Sequence, residues 1–535
     1  MFTTLIQKLS TLSSLYLLTI LLVIVSVCYI NTLGNGLFFD DEHFIYNNQV
    51  VKDFDLTGFF SQSLTSGAGK LSNYYRPLLF LGFGIEYSLF KELGGIYHLD
   101  SLLIHFAGGG VLFLLIKKLF SNKLLAFLTS LLFLIHPLQA EAVSYASGRG
   151  DPLSFLFVML TLYWSLSKSR TYQLLSLLAL ACALLSKEIA LVTPGLVFLV
   201  HLFNQQKITR ATFKKSILST LPIAAITLVY FVLRVTVLNF ANTLNFYNTE
   251  NIYSSSLFVR LNIFFHLLPT YLSLLVYPKD LFMERDSGIT IVTTPTVQSV
   301  ISFVLVIVVF VLSLWKKKQL PIVLFSFLWI GITFVPTSGI VPINGFFYEH
   351  FLFYPSVGFF LLFTYGFLAL YQRIPKIGKE MLGILLIAVL LLLCLRTVSR
   401  NREWRDPITF YSQTLNHVQS PRAFNNLAMA YADQGNNKQA IVNYKKAIAL
   451  VDAYPESHYN LANAYLAEGD SLSAEKEYKE ALRIDQTFYF SYIRLYQLYT
   501  AQKNTPGLTF VRQELTSLGQ TNPGFLQLLK QLEQQ

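Results

Sequence analysis

Residues 12–43, LSSLYLLTILLVIVSVCYINTLGNGLFFDDEH, join an uncharged run of 19 residues (12–30) to three consecutive carboxylates, Asp40, Asp41 and Glu42. A helix rises 1.5 Å per residue, so such a run reaches nearly across the roughly 30 Å of bilayer hydrocarbon. No small-residue cleavage pattern follows it, and it reads as a retained span. Ten more apolar runs, near 99–119, 124–145, 152–166, 172–185, 189–203, 216–233, 297–315, 320–335, 351–371 and 381–395, extend the reading to an all-α polytopic bundle of about 11 spans over residues 1–400. Several runs are short, as expected where a bundle encloses a water-filled cavity on one side. The whole chain, 535 residues with 53% hydrophobic and 13% charged, is too apolar for a disordered protein and unlike an ordinary soluble one.

Net charge is +11, and all of it belongs to residues 1–400, where 28 basic residues face 17 acidic ones. The basic half is thus the apolar half, which removes the case for a nucleic-acid partner. Basic residues cluster at Lys117, Lys118 and Lys123; at Lys168 and Arg170; at Lys207, Arg210, Lys214 and Lys215; at Lys316 to Lys318; and at Arg373, Lys376 and Lys379. Lys and Arg in short loops stay cytoplasmic during insertion. All five clusters fall inside if 11 segments cross and the stretch 257–277, interrupted by Arg260, His266 and Pro269, does not. Residues 257–290 are therefore expected to form a re-entrant or surface hairpin, with 31–97 as the first extracytoplasmic loop. Twelve spans with a cytoplasmic C-terminus is the competing arrangement. In the 11-span arrangement Glu380 is the single cytoplasmic acidic residue of this region, so the outer face is the acidic one. Cys28, Cys182 and Cys394 lie inside apolar runs with no pairing or metal spacing.

Residues 401–535 carry an internal repeat. At a spacing of 34, Pro421 matches Pro455, Asn426 Asn460, Leu427 Leu461, Ala428 Ala462, Tyr431 Tyr465, Gly435 Gly469, Ala440 Ala474, Tyr444 Tyr478 and Ala447 Ala481. This is the tetratricopeptide pattern: small Ala positions let paired helices approach, Gly closes the turn, and Pro starts the next unit. The repeats are placed at 421–454 and 455–488, with a helix near 410–415 before them. A degenerate cap at 489–535, with Lys503 in place of the turn glycine, ends an α-solenoid. Such a solenoid offers a concave surface for a protein chain.

Chemistry gathers on the outer side. Asp40-Asp41-Glu42-His43 stands where membrane sequence gives way to loop, and ionisable groups at that boundary are functional candidates. On the same side fall Arg76, His98 and His105, then His136 with Glu141, Arg149 with Asp151, Lys187-Glu188, and Glu349-His350. Singly, each reads as a structural ion pair or a snorkelling side chain, and His105, seven residues into a span, as a bundle histidine. Together they place carboxylates, histidines and three cations in one cavity, suited to an anionic lipid-linked substrate and a reaction that needs a base.

The ordered set resembles the transmembrane and tetratricopeptide repeat-containing (TMTC) family. It consists of Asp40-Asp41 with Asn47-Asn48; Tyr75-Arg76-Pro77 leading to His98 and His105; His136-Pro137 with Glu141; Gly148-Arg149 with Asp151; Ser186-Lys187-Glu188; and Glu349 with Tyr354-Pro355-Ser356. The stretch 260–286, with Tyr277-Pro278 and Asp286, is similar to that family's hairpin domain. His350 departs from the pattern, where Arg usually follows Glu, as do Glu42-His43 and the short repeat array.

The resemblance implies a GT-C glycosyltransferase that takes sugar, mannose or another hexose, from a polyprenyl-phosphate donor and passes it to Ser or Thr hydroxyls of protein on the non-cytoplasmic face. Asp41 is then the first choice for the base, Asp40 the second and Glu141 the third. Arg149, Lys187 and Arg76 would neutralise the lipid phosphate, and Glu349 and His350 would hold sugar or acceptor. Glu42, His98, His105, His136, Asp151 and Glu188 are carried over as further substrate-binding positions. No cofactor is expected: a divalent cation has a place beside Asp40 and Asp41, but departure assisted by cationic side chains makes one unnecessary. The partners implied are the lipid-linked donor, the bilayer and a protein acceptor held by the repeats. A bacterial plasma membrane is the expected location, or the endoplasmic reticulum in a eukaryote. A non-enzymatic scaffold or a transporter of lipid-linked sugar is the alternative; against a transporter, the membrane region lacks repeated halves.

Overall fold

The structure is a computed structural model that describes residues 2–70, 72–205, 208–240, 252–285, 289–317, 320–343, 345 and 347–534. Lys207, Asp286 and Lys318, named above, lie outside the described residues. Among the described residues there are helices and no β-strand, and the chain divides into two compact units, Met1–Asp406 and Pro407–Gln535.

The helices of the first unit include α1 (Ser14–Tyr29), α2 (Gly94–Phe120), α3 (Lys123–Ile135), α4 (Gly150–Ser165), α5 (Arg170–Leu184), α6 (Thr193–Phe203), α7 (Arg210–Val235), α8 (Leu257–Val276), α9 (Val297–Trp315), α10 (Pro321–Phe334), α11 (Pro355–Arg373) and α12 (Lys376–Glu403). Seven of them, α1 with its extension to Gly34, α2, α7, α8, α9, α11 and α12, are long and apolar enough to cross a membrane. The bent pair Lys123–Ile135 and Pro137–Ser144, with 52° between its arms, makes an eighth, while α5, α6 and α10 are shorter apolar helices. The chain is an integral membrane protein.

Contacts sort the helix ends. Lys117 Nζ donates to Ser14 Oγ at 2.6 Å and Lys123 Nζ to the Leu12 carbonyl at 2.8 Å. His201 meets Ser165 at 3.2 Å, and the Phe325 ring meets those of Phe120 and Phe203, both at 5.3 Å. Glu380 accepts from the Phe2 and Thr3 N–H groups, and Phe2 packs on Tyr371. One end of the unit therefore gathers the starts of α1, α3, α10 and α12 and the ends of α2, α4, α6 and α11, together with the basic clusters attached to them. At the opposite end Asn35 bonds the Asn401 carbonyl at 3.1 Å, Leu78 N–H bonds the Leu185 carbonyl at 3.1 Å, and Arg234 bonds the Asn73 carbonyl at 2.6 Å. That end holds the carboxylates.

Helix α8 has both termini there. Arg260, in its first turn, donates to the Gly339 carbonyl at 2.6 Å, just past α10. The Pro278 carbonyl, just past the end of α8, accepts from Arg396 of α12 at 3.3 Å. Its 20 residues are long and apolar enough to cross a membrane. Cys28 of α1 and Cys394 of α12, unrelated in sequence spacing, lie against each other.

The second unit consists of α13 (Pro407–Leu415), α14 (Pro421–Asp433), α15 (Asn437–Leu450), α16 (Pro455–Ala467), α17 (Ser471–Ile484), α18 (Tyr489–Ala501), α19 (Thr505–Gly519) and α20 (Gly524–Gln534). The repeat residues do what their chemistry requires. Ala428, Ala440, Ala462, Ala474 and Ala481 are buried to close helix pairs. Gly435 and Gly469 take φ of +75° and +84°, the left-handed conformation that ends a helix. Asn436 and Asp470 then cap the next helix through side-chain oxygens. Lys503 takes the same turn at φ +54°, a conformation that opposes its Cβ. The first unit extends past residue 400, because α12 continues to Glu403 and Trp404 is buried there.

Candidate active site

The Asp40-Asp41 turn follows Phe39, whose φ of +64° is rare for an aromatic residue and sets the two carboxylates off from the chain direction of α1. Asp41 is buried. Its Oδ1 accepts from the Ser147 N–H at 2.8 Å and the Ser147 hydroxyl at 2.5 Å, and its Oδ2 accepts from the Phe38 N–H at 3.2 Å. Burial pushes the Asp41 carboxyl up; the Ser147 and Phe38 donors pull it back and the Asp40 charge adds to the rise, leaving it at about 7. The Tyr145 hydroxyl accepts from the Asp40 N–H at 3.0 Å. Tyr145 stacks on Trp404 at 5.0 Å, and the Arg400 guanidinium lies 5.8 Å from the Trp404 ring centre. Asp40 and Asp41 are in this way joined to the end of α12. Glu42 opens the short helical turn Glu42–Tyr46 and is exposed.

Two sets of ion pairs flank the turn. On one side Arg76 donates through Nε and Nη2 to Glu188 Oε2 at 3.1 and 3.0 Å, with its guanidinium 4.6 Å from the Tyr74 ring centre. Lys187 Nζ meets Asp151 at 2.6 Å. On the other side Glu349 accepts from Arg400 at 3.2 Å and from the Phe282 N–H, with Arg285 at 3.7 Å. Arg400 and Arg396 both reach Glu403. Glu141 holds His350, accepting from its backbone N–H at 3.1 Å and meeting Nδ1 at 2.7 Å. The bend at His136-Pro137 carries Glu141 to this position, since proline cannot continue the α3 hydrogen-bond ladder.

Four of the residues expected to bind substrate, Arg149, His105, His136 and His98, are buried among neighbouring side chains. Arg149 is 1% exposed, with Nε on Ser101, Nη1 on Glu86 at 2.6 Å and Asp100 at 3.0 Å, and Nη2 on the Tyr97 carbonyl at 2.7 Å. With each nitrogen engaged, it ties α2 and the helix Pro77–Phe90 to the turn that precedes α4. His105 meets the Leu134 carbonyl at 3.1 Å among the rings of Tyr29, Phe133 and Phe353. His136 accepts from the Leu138 N–H and packs on Phe360, and His98 is buried beside Asn35 and Gly36. Conversely, Tyr145, Trp404, Arg400 and Arg285 escape the sequence reading. A signal existed for Arg400: the run Ser399-Arg400-Asn401-Arg402 puts two basic residues at the end of α12 opposite the basic clusters. Among the described residues, no three His, Cys, Asp or Glu side chains gather as a metal site would need.

Residues 428–469 match the TPR repeat model and residues 455–488 the tetratricopeptide repeat model. A protein O-mannosyl-transferase of Caenorhabditis elegans is 28% identical over 450 residues, covering 82% of this chain and 63% of the relative. Protein O-mannosyl-transferase TMTC3 of Homo sapiens is 26% identical over 477 residues, covering 80% and 51%. The chain is similar to these two protein O-mannosyl-transferases over 82% and 80% of its length. It spans between half and two thirds of the length of these two relatives. ArnT from Cupriavidus metallidurans bound to undecaprenyl phosphate superposes with a TM-score of 0.37 at 14% identity, covering 94% of this chain and 87% of that one. Where the TMTC pattern has Arg after Glu, this chain has His350, and the guanidinium beside Glu349 arrives from α12 as Arg400.

Proposed function

We propose that the chain is a membrane glycosyltransferase of GT-C type that moves a sugar, mannose or another hexose, from a polyprenyl-phosphate donor to Ser or Thr hydroxyls of protein, at the acidic end of the bundle. The single observation that carries this reading is Asp41: a buried carboxyl, oriented by three donors and held at about 7, is matched to proton abstraction near neutral pH. The acceptor hydroxyl gives its proton to Asp41, with Asp40 as the neighbouring carboxylate, while its oxygen attacks the anomeric carbon. The bond to the lipid phosphate breaks with inversion. The departing phosphate needs cations, and two sets stand beside the turn: Arg76 and Lys187, each at contact distance from a carboxylate, and the arginines around Glu349. His350 and Glu349 would hold sugar or acceptor. With the basic end cytoplasmic, α8 lies on the outer surface, 11 helices cross, and the C-terminal repeats stand outside, where they would take the acceptor polypeptide. No step requires a metal.

The test is transfer itself. Purified protein in liposomes, given polyprenyl-phosphate mannose and a Ser/Thr-rich peptide, should yield peptide heavier by one hexose on mass spectrometry. No product with any polyprenyl-phosphate hexose would end this reading.

A further inference from the structure

We propose that Cys28 and Cys394 form a redox-sensitive disulfide that staples the end of α1 to α12. Such a bond is a covalent modification separate from sugar transfer.

The sequence offers these cysteines no pairing spacing; the register of two helices supplies it. Helices α1 and α12 pack on each other, and both start at the basic end of the unit. Asn31 Nδ2 donates to the Val398 carbonyl at 2.9 Å and Asn35 Nδ2 to the Asn401 carbonyl at 3.1 Å, which sets residues 367 and 366 positions apart level with each other. Cys394 follows Cys28 by the same 366 positions, about one turn further into the bundle. Asn401 Nδ2 reaches back to the Cys28 carbonyl at 2.8 Å. The two side chains meet in the core of the first unit, Cys28 buried and Cys394 half-buried, and both are free thiols in this structure. A disulfide needs side chains that point at each other from neighbouring turns, and touching thiols do. Among the described residues, no group of three His, Cys, Asp or Glu surrounds them as a metal site would need.

The pair lies where membrane sequence ends. Cys28 is the penultimate residue of α1, and Arg396, two residues past Cys394, bonds the Pro278 and Lys279 carbonyls at 3.3 and 3.1 Å with 25% of its side chain exposed. With the basic end cytoplasmic, this boundary faces the outer compartment, where disulfides form and persist. The oxidant is a second disulfide, carried by a thiol–disulfide oxidoreductase or a small molecule. The Cys394 thiolate attacks one of its sulfurs and the other leaves; the Cys28 thiolate then displaces the sulfur still attached to Cys394. The two cysteines are oxidised, and the oxidant departs as two thiols that take up the two protons. Helix α1 runs on into the Asp40-Asp41 turn and α12 ends beside that turn at Arg400 and Trp404, so the bond fixes its two supports to each other.

Membranes from cells expressing the full chain, prepared with N-ethylmaleimide present from lysis to block free thiols, should be digested without reduction and analysed by mass spectrometry. The expected product is a peptide pair joining Cys28 to Cys394, lighter than its two parts by two hydrogens and split by dithiothreitol. Purified protein in nanodiscs should give the same pair in higher yield after treatment with dipyridyl disulfide. Its thermal midpoint should then exceed that of the reduced protein by several degrees, a difference that Cys28→Ser and Cys394→Ser abolish, because a link between such distant residues restricts the unfolded chain. Each variant exchanges one sulfur for oxygen, and the peptide pair in wild-type protein reports the bond even if a variant folds poorly. Absence of the pair from the blocked membranes overturns the modification. Its absence after dipyridyl disulfide, or capture of either cysteine by Cys182 or by a second copy of the chain, overturns the contact as well. Each of these outcomes leaves the glycosyltransferase reading intact.

Discussion

Asp41→Asn removes the proposed base while keeping its shape, and its consequences depend on pH in two directions. For activity, the base must be ionised. With the carboxyl at about 7, roughly 10% is ionised at pH 6 and roughly 90% at pH 8, so kcat/KM should rise with pH through an acid limb near 7. A positioned base contributes about 10²–10⁴-fold, so Asp41→Asn should lower transfer by that factor, or about 3–5 kcal/mol of barrier. Ser147→Ala is the sharper variant. It deletes the hydroxyl that donates to Oδ1 at 2.5 Å, and a hydrogen bond to a charged acceptor is worth about 1.5–3 kcal/mol, so the acid limb should move upward by about one pH unit or more. Stability runs the other way. A carboxyl held above its ordinary value favours the folded state only while protonated, so wild-type protein loses stability as pH rises from about 4 to about 7. The interval corresponds to at most about 4 kcal/mol, which Asp41→Asn recovers, less about 1 kcal/mol because its amide meets the Phe38 N–H as donor against donor. The assay is initial-rate transfer between pH 5.5 and 8.5, beside thermal unfolding in the same buffers. A flat wild-type profile, an unmoved limb in Ser147→Ala, or more than a tenth of the rate in Asp41→Asn would refute the reasoning; loss confined to Asp40→Asn would move the base by one residue.

Arg149→Gln should fail through folding, because it strands Glu86 and Asp100. A broken buried pair is worth about 3–5 kcal/mol, read as a large fall in the thermal midpoint with an unchanged KM in whatever folds. Lys503→Gly should raise stability by about 1 kcal/mol, measured by urea unfolding of the full chain, because glycine accepts φ of +54° without a Cβ clash. Burial opposes a charge on His458, but Glu477 at 2.7 Å and Asp452 at 2.8 Å accept from both ring nitrogens and raise its affinity for a proton. Its contribution is complete below the ordinary histidine value and is lost as pH rises through the raised one, so His458→Gln should destabilise the second unit more at pH 6 than at pH 9, followed by hydrogen exchange.

Much of this molecule was legible in one dimension because the relevant forces act along the chain. Nineteen uncharged residues before Asp40 have one low-energy way to satisfy their backbone in lipid, and a 34-residue spacing of Ala, Gly and Pro has one way to stack. The Asp40-Asp41 pair and Glu349 were visible for the same reason, since an ionisable group at a membrane boundary stands out against its neighbours. What was not legible is which partner each charge takes. Arg149 and Arg400 are both arginines near span ends, yet one is closed around Glu86 and Asp100 and the other stands beside Glu349 and Trp404. His105 and His350 differ likewise, one packed among aromatic rings and the other joined to Glu141 across 209 residues. Residue types determined that this chain would enter a membrane, carry repeats and gather carboxylates at one end. Contact with Ser147, 106 residues away, determined that Asp41 is the carboxylate buried, oriented and left to take a proton, because desolvation and hydrogen bonding depend on neighbours that only folding brings together.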